Sequence, residues 1–311
     1  MKLLLIGDCR QATANVGSNG LGRTTYDFLN KFKDKENLEI AVFVNKNSQI
    51  PWENVQCYDY ENEHADLHKI VEFIEGYKPD IVYDFSHFHL LSKNHPEIDV
   101  VNHMHDEECD YQPPNCLIGN PWQQKTFKNA RIYPAGIDVS KYKFNEKKKD
   151  YFSFCGKLEA RKGYDTASYV TRVLNLETIF AGPDVEGRAN QLSGRWIGEI
   201  RNHDVVCDFL GNSKCLFYPS RNDAGGLAIV EAMALGTPTI TTNKSGAQYN
   251  VVHGKTGFIA ESLSDMIHYA SRVEELDPEQ IRKECEKGWD FNKNFDKIFE
   301  QLVSFSKGER W

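Results

Sequence analysis

The sequence predicts an α/β protein in two halves, each a parallel sheet flanked by helices. Three observations carry this. Short apolar runs rich in β-formers alternate with longer stretches of helical periodicity along nearly all 311 residues, the pattern of strand–helix–strand units. The alternation breaks at 141–150, KYKFNEKKKD, a charged run without periodicity that reads as a linker. And 216–242 is a complete unit in itself: a strand stopped by Pro219, a polar Gly-rich turn, a helix and a second strand. A chain of this length fits two domains, each with enough residues for its own core.

Composition narrows the function classes. The net charge of −8 gives no general attraction to nucleic acid or anionic lipid. No apolar run approaches the ~20 residues of a membrane span, and the N-terminal run ends at Ile6, too short for a secretion signal. Eight cysteines without a C-x-x-C pair read as reduced thiols. The expected location is cytoplasmic or at a membrane surface.

The elements follow in order. Strand one is 3–6, and 21–32 reads as a helix after the segment Gly17-Ser18-Asn19-Gly20-Leu21-Gly22. Those glycines do not match G-x-G-x-x-G and start too far from the strand for a dinucleotide fingerprint. A strand at 38–44 precedes a helix at 64–77, where Leu67, Ile70, Val71 and Ile74 share one face. Strands at 81–85 and 100–104, a helix at 122–130 and a strand at 132–133 complete the first half. The second half opens with a strand ending in Gly156. It continues with a helix at 164–174, a strand at 176–181, a helix at 205–210 and a strand at 215–218. The helix at 227–235 is rich in Ala, Leu, Met and Glu; Gly236 ends it and Pro238 prevents its continuation. A strand at 239–242, a loop with Gly254 and Gly257, and helices at 263–273 and 278–287 follow. The last helix, 292–305, carries Phe295, Ile298, Phe299, Leu302 and Val303 on one stripe.

Chemistry-bearing residues gather where strands end, which in open α/β sheets is the ligand edge. Asp223 precedes Gly225 and Gly226 at the mouth of a helix, and Glu231 lies inside that helix. Glycines there let backbone amides approach an anion, which the helix dipole also favours. The loop 156–163 adds Lys157, Arg161 and Lys162, cations suited to a diphosphate. In the first half, His87 with His89 and His103 with His105 follow two strands, and a histidine there can orient a sugar or hold a proton. His103, His105, Cys109 and Cys116 are spaced unlike the recognised zinc patterns. The acidic residues Asp106, Glu107, Glu108 and Asp110 read as a solvated loop, so no metal site is expected.

Taken together these motifs resemble those of the family 4 retaining glycosyltransferases. Residues 156–163, GKLEARKG, are similar to G-[RK]-L-x-x-x-K-G; 223–238, DAGGLAIVEAMALGTP, to the extended E-x7-E motif; and 252–259, VHGKTGFI, to D-G-x-T-G-[FL]. The histidine after a first-half strand has its counterpart in 103–106, HMHD. The resemblance implies a GT-B fold: two Rossmann-like domains whose parallel sheets face a central cleft. Residues 1–137 would be the acceptor domain, 138–289 the donor domain, and 290–311 a helix returning to the first.

The resemblance also implies roles. Lys157 and Lys162 would hold the donor diphosphate, Glu231 the ribose hydroxyls and Asp223 the donor sugar. The amides near Gly225, Gly226 and Leu227 would meet sugar or phosphate, and His105 would face the transferred sugar. The loop bearing Gly20 and Gly22 would cover the diphosphate or border the acceptor. Asp223, His105 and Lys157 are the expected catalytic residues. The partners implied are a UDP- or GDP-sugar and a sugar, lipid-linked or small-molecule acceptor. No metal cofactor is expected. The chain departs from the family pattern at Asp223, where Glu is usual, at Asn250, near another usual Glu, and in its short first half. Two alternatives remain: a non-catalytic nucleotide-sugar-binding partner subunit, and a GT-B nucleotide-sugar epimerase.

Overall fold

The computed structural model describes residues 1–10, 12–14, 20–105 and 111–311. It divides into two compact units, Met1–Ala135 with Lys293–Trp311, and Gly136–Asn292.

The first unit runs β1 (Lys2–Ile6), α1 (Gly20–Phe32), β2 (Glu39–Val44), β3 (Val55–Asp59), α2 (Leu67–Tyr77), β4 (Ile81–Asp84), α3 (Leu90–Asn94), β5 (Val100–His103), β6 (Cys116–Ile118) and β7 (Arg131–Ile132). Its sheet has the order β3-β2-β1-β4-β5-β6-β7, and every pairing is parallel. The inner strands β1, β2 and β4 read as near-continuous apolar runs because helices cover both faces of such a sheet.

The second unit runs β8 (Phe152–Cys155), α4 (Tyr164–Leu174), β9 (Thr178–Ala181), β10 (Arg195–Trp196), α5 (His203–Gly211), β11 (Cys215–Tyr218), α6 (Leu227–Ala234), β12 (Thr239–Thr242), β13 (Gly257–Ala260), α7 (Leu263–Ala270) and α8 (Pro278–Gly288). Its sheet order is β10-β9-β8-β11-β12-β13, again parallel throughout. Helix α6 is apolar nearly all round and buries Ile229 to Ala234, as a helix enclosed in a core must. The last helix, α9 (Phe291–Ser306), joins the first unit from Lys293 onward. There Phe295 packs 5.1 Å from Phe32 and 5.9 Å from Phe28. No helix among the described residues is long and apolar enough to cross a membrane.

The structure corrects three expectations. The charged run 141–150 is no linker but a strap across the second unit. Tyr142 is buried, and the Lys148 ammonium donates to Gly211 O (2.9 Å), Leu235 O (3.0 Å) and Thr237 Oγ1 (2.9 Å). It thereby satisfies carbonyls at the ends of α5 and α6 that have no helical partner, while burial lowers its pKa to about 7. The chain changes unit instead after Ala135 and after Asn292. Secondly, 122–130 is only a short turn at Gln123–Lys125, whose buried Gln123 side chain accepts from Gly119 N and donates to Met104 O. Thirdly, the glycine loop near Gly257 is the start of β13, where a Cβ would collide with Thr239 O of β12.

Candidate functional site

The second sheet reverses its winding between β8 and β11: β9 and β10 lie beyond β8, and β12 and β13 beyond β11. Loops leaving two such strands diverge, and the crevice between them is where open α/β sheets hold ligands. Here the two loops are residues 156–163 and 219–226.

Backbone contacts lock these loops together. Gly163, at φ +78°, lies so close to Pro219 that a Cβ would strike its carbonyl oxygen. Arg161 O accepts from Arg221 N (2.8 Å), Asn222 N (3.3 Å) and Ser220 Oγ (3.2 Å). Leu158 is fully buried and anchors the first loop. This is why the small and apolar positions of GKLEARKG matter: they set where its cations emerge. Lys162 emerges against Asp223 and forms a short ion pair with Oδ2; only 16% and 12% of the two side chains is exposed. The Tyr218 hydroxyl donates to the same oxygen at 2.5 Å. Lys157 points more outward, 55% exposed, with Glu159 3.9 Å away.

The glycine turn that follows is pinned from behind. Asn250 Nδ2 donates to Gly225 O at 2.7 Å, and Trp289 Nε1 donates to Asn250 Oδ1 at 3.0 Å. With its carbonyl turned to Asn250, Gly225 presents its amide toward Asp223 Oδ1 at 3.4 Å. Gly226, at φ +79°, caps α6, and the amides of Leu227 and its neighbours open the helix at the positive end of its dipole. Glu231 is buried within α6 and accepts from Tyr142 OH at 3.0 Å.

So the structure brings Lys162, Asp223, Gly225, Gly226 and Leu227 to one crevice, with Lys157 on its rim loop and Glu231 one turn into the adjoining helix. The remaining candidates belong to the first unit. Gly20 and Gly22 sit in the opening turn of α1 rather than in a loop. Residues 15–19, and with them Gly17, lie outside the described residues, as do Asp106 to Asp110 with Cys109.

His105 follows β5 and stacks on His103, rings 4.8 Å apart, which stacks in turn on Phe85 at 4.7 Å. His103 Nδ1 is 2.5 Å from Tyr83 OH. Burial drives the His103 pKa down to about 3, with a further push from His89. His105 lies well below its usual value for the same reason, with His103, His89 and His87 adding to it. Its Nε2 is buried without a hydrogen-bond partner. His89, at the N-terminus of α3, faces Asp84 Oδ2 at 3.5 Å. Among the described residues no group of three or more His, Cys, Asp or Glu could hold a metal ion; His103 is committed to Tyr83, and Cys116 donates to Pro113 O.

Sequence reasoning missed Tyr218, Tyr142 and Trp289, because an aromatic residue at a strand end or in a loop reads as core. It also missed Glu63, whose buried carboxylate gathers Ser86 Oγ, Phe88 N and Leu90 N beneath the histidine loop.

Two parallel doubly wound sheets in one chain, the second with a cation–carboxylate pair and a glycine-capped helix at its switch point, define a GT-B protein. Solved structures show the same fold. AviGT4, a glycosyltransferase involved in avilamycin A biosynthesis, matches with a TM-score of 0.77 at 16% identity, over 100% of this chain and 99% of that one. Anabaena HepE in complex with UDP-glucose matches at 0.73 and 14%, over 98% and 100%. Residues 137–287, just under half of the chain, match the family model of glycosyl transferases group 1. A curated relative, the capsular polysaccharide biosynthesis glycosyltransferase CapM of Staphylococcus aureus, is 37% identical over 77 residues. They make up 25% of this chain and 20% of that protein, so the match spans a fifth of the relative's length.

Proposed function

We propose that the protein transfers a sugar from a nucleoside diphosphate donor to a hydroxyl acceptor with retention of anomeric configuration. The observation that carries this reading is the Lys162–Asp223 pair beside the glycine-capped mouth of α6: a cation and amides for a diphosphate, next to a carboxylate for a sugar. Lys157, Lys162 and the amides of Gly225, Gly226 and Leu227 stabilise the departing diphosphate, where charge develops in the transition state. Glu231 accepts a ribose hydroxyl beside its Tyr142 contact, and Asp223 holds the donor sugar. In the first unit His105 is assigned to the transferred sugar; kept neutral by burial, it offers a hydrogen bond without charge. The bond from the anomeric carbon to the phosphate oxygen breaks, and the acceptor oxygen bonds to the same face of that carbon. The acceptor's proton passes to the leaving phosphate. Because side-chain cations and amides meet the diphosphate, no resident metal is needed.

The UDP-glucose in complex with Anabaena HepE, a protein of the same fold, makes UDP-sugars the first donors to try, with GDP-sugars second. Thermal-shift screening of UDP-, GDP-, ADP- and TDP-sugars tests the reading. One base is expected to stabilise the protein by about 2.7 kcal/mol at a hundred times its dissociation constant. Slow release of free nucleotide follows, unaffected by a chelator. Lys157→Ala is expected to cut that release on the order of 10²-fold with an unchanged melting temperature. Binding without release identifies a partner subunit instead, and absence of binding sinks the donor site.

A further inference from the structure

We propose that Tyr218 is the positioning residue of the sugar-binding carboxylate, a role that rests on the donor reading above. The Lys162 ammonium and the Tyr218 hydroxyl both donate to Asp223 Oδ2. They are not equivalent. Lys162 is a flexible cation that a diphosphate also attracts, so an incoming donor competes with Asp223 for it. Tyr218 has no such rival.

Its geometry is fixed from both sides. As the last residue of β11 it is paired in register with Thr241 of β12. Across its ring lies Gly226, where a Cβ would come within 2.8 Å of Tyr218 Cε1 and 3.1 Å of its hydroxyl. The ring is 5% exposed, and burial, reinforced by Asp223, holds the phenol far above its usual pKa. It therefore stays an O–H donor at neutral pH. When Lys162 turns toward phosphate, the tyrosine keeps Asp223 in the same rotamer.

The arrangement also accounts for the short side chain at position 223. The aspartate carboxylate already meets the hydroxyl at 2.5 Å, so one methylene more has to carry the carboxylate away from that position. The tyrosine hydroxyl and the aspartate are thus one device, and replacing either alone leaves a gap or a displaced carboxylate.

The test compares binding of each free nucleoside diphosphate with that of its sugar, across the UDP-, GDP-, ADP- and TDP-sugars, in wild type, Tyr218→Phe, Asp223→Glu and the double variant. For whichever pair binds wild type, Tyr218→Phe should leave nucleotide affinity within about twofold and reduce the gain from the attached sugar by about tenfold, near 1.4 kcal/mol. Its melting temperature should be unchanged, and any turnover should fall in kcat more than it rises in KM. The added methylene of Asp223→Glu should occupy the space of the lost hydroxyl, so the double variant should recover part of the sugar gain rather than compound the losses. A full sugar gain in Tyr218→Phe, or multiplying losses in the double variant, overturns the role of Tyr218 while leaving the donor site standing. A wild type that binds none of the UDP-, GDP-, ADP- or TDP-sugars overturns the donor reading and this proposal together.

Discussion

His103 is a histidine that cannot readily be charged where it sits. Its ring is enclosed by Tyr83 and Phe85 at the end of β4, Phe28 of α1 at 5.7 Å, and His105 at 4.8 Å. The titratable neighbours facing it are Tyr83, His89 and His105, and none is an anion in contact with the ring. Its folded pKa is about 3, against roughly 6.5 in the unfolded chain. Between these values the unfolded chain binds the extra proton, so the contribution to stability is complete above pH ~6.5 and is lost as pH falls toward 3. His105 shifts in the same direction and adds to the effect. Chemical denaturation at pH 7, 6 and 5 should show stability falling, by up to about 1.4 kcal/mol per pH unit for each histidine. His103→Asn should flatten that slope by one proton, and an unchanged slope would contradict the assignment. The sequence placed these histidines at strand ends correctly, but it could not show which are neutral. Charge state depends on what encloses the ring, and Tyr83, Phe28 and Phe85 reach it through the tertiary fold.

The unit from β11 to β12 was legible as an element, since Cys215–Tyr218, Leu227–Ala234 and Thr239–Thr242 fall where periodicity and turn residues place them. Beyond β13, three strands were missed. β6 has three residues and β10 two, so neither carries a run long enough to show period or propensity, and β3 lies on the sheet edge with only Val55 buried, so it shows no apolar alternation. Less legible still was how the glycine turn is held. Asn250 donates to Gly225 O, which a carboxylate at that position could not do, and Trp289 fixes the amide's orientation. Asn250→Asp keeps the shape and the Trp289 contact but sets an oxygen against the Gly225 carbonyl. The expected result is a loss of about 1–3 kcal/mol in the second unit, with weaker binding of the nucleotide sugar that the wild type prefers. Calorimetry with and without that ligand reads both, and a variant equal to wild type in both would show that the turn is held by other contacts.

At the scale of the whole molecule, the charged run 141–150 misled because charge without period looks like a linker. The true crossings are quieter: Gly136, at φ +74°, packs so closely on Trp289 that a Cβ would strike its carbonyl oxygen, and Ile137 N bonds to that same oxygen at 2.9 Å. Each unit has its own sheet and its own apolar core, so each should melt with its own transition. The first unit is completed only by the end of the chain. Phe295 is 1% exposed and fills the space between Phe28 and Phe32, while Arg131 bonds Gln301 and Glu309. Phe295→Ala should therefore destabilise the first unit by about 3–5 kcal/mol, although the residue lies more than two hundred positions from the partners it packs on. The proposed donor site lies in the second unit, so a bound nucleotide sugar should raise the other transition and leave the Phe295→Ala one low. Scanning calorimetry of the variant with and without ligand separates the two. A single transition that both mutation and ligand move would mean that the two cores unfold as one.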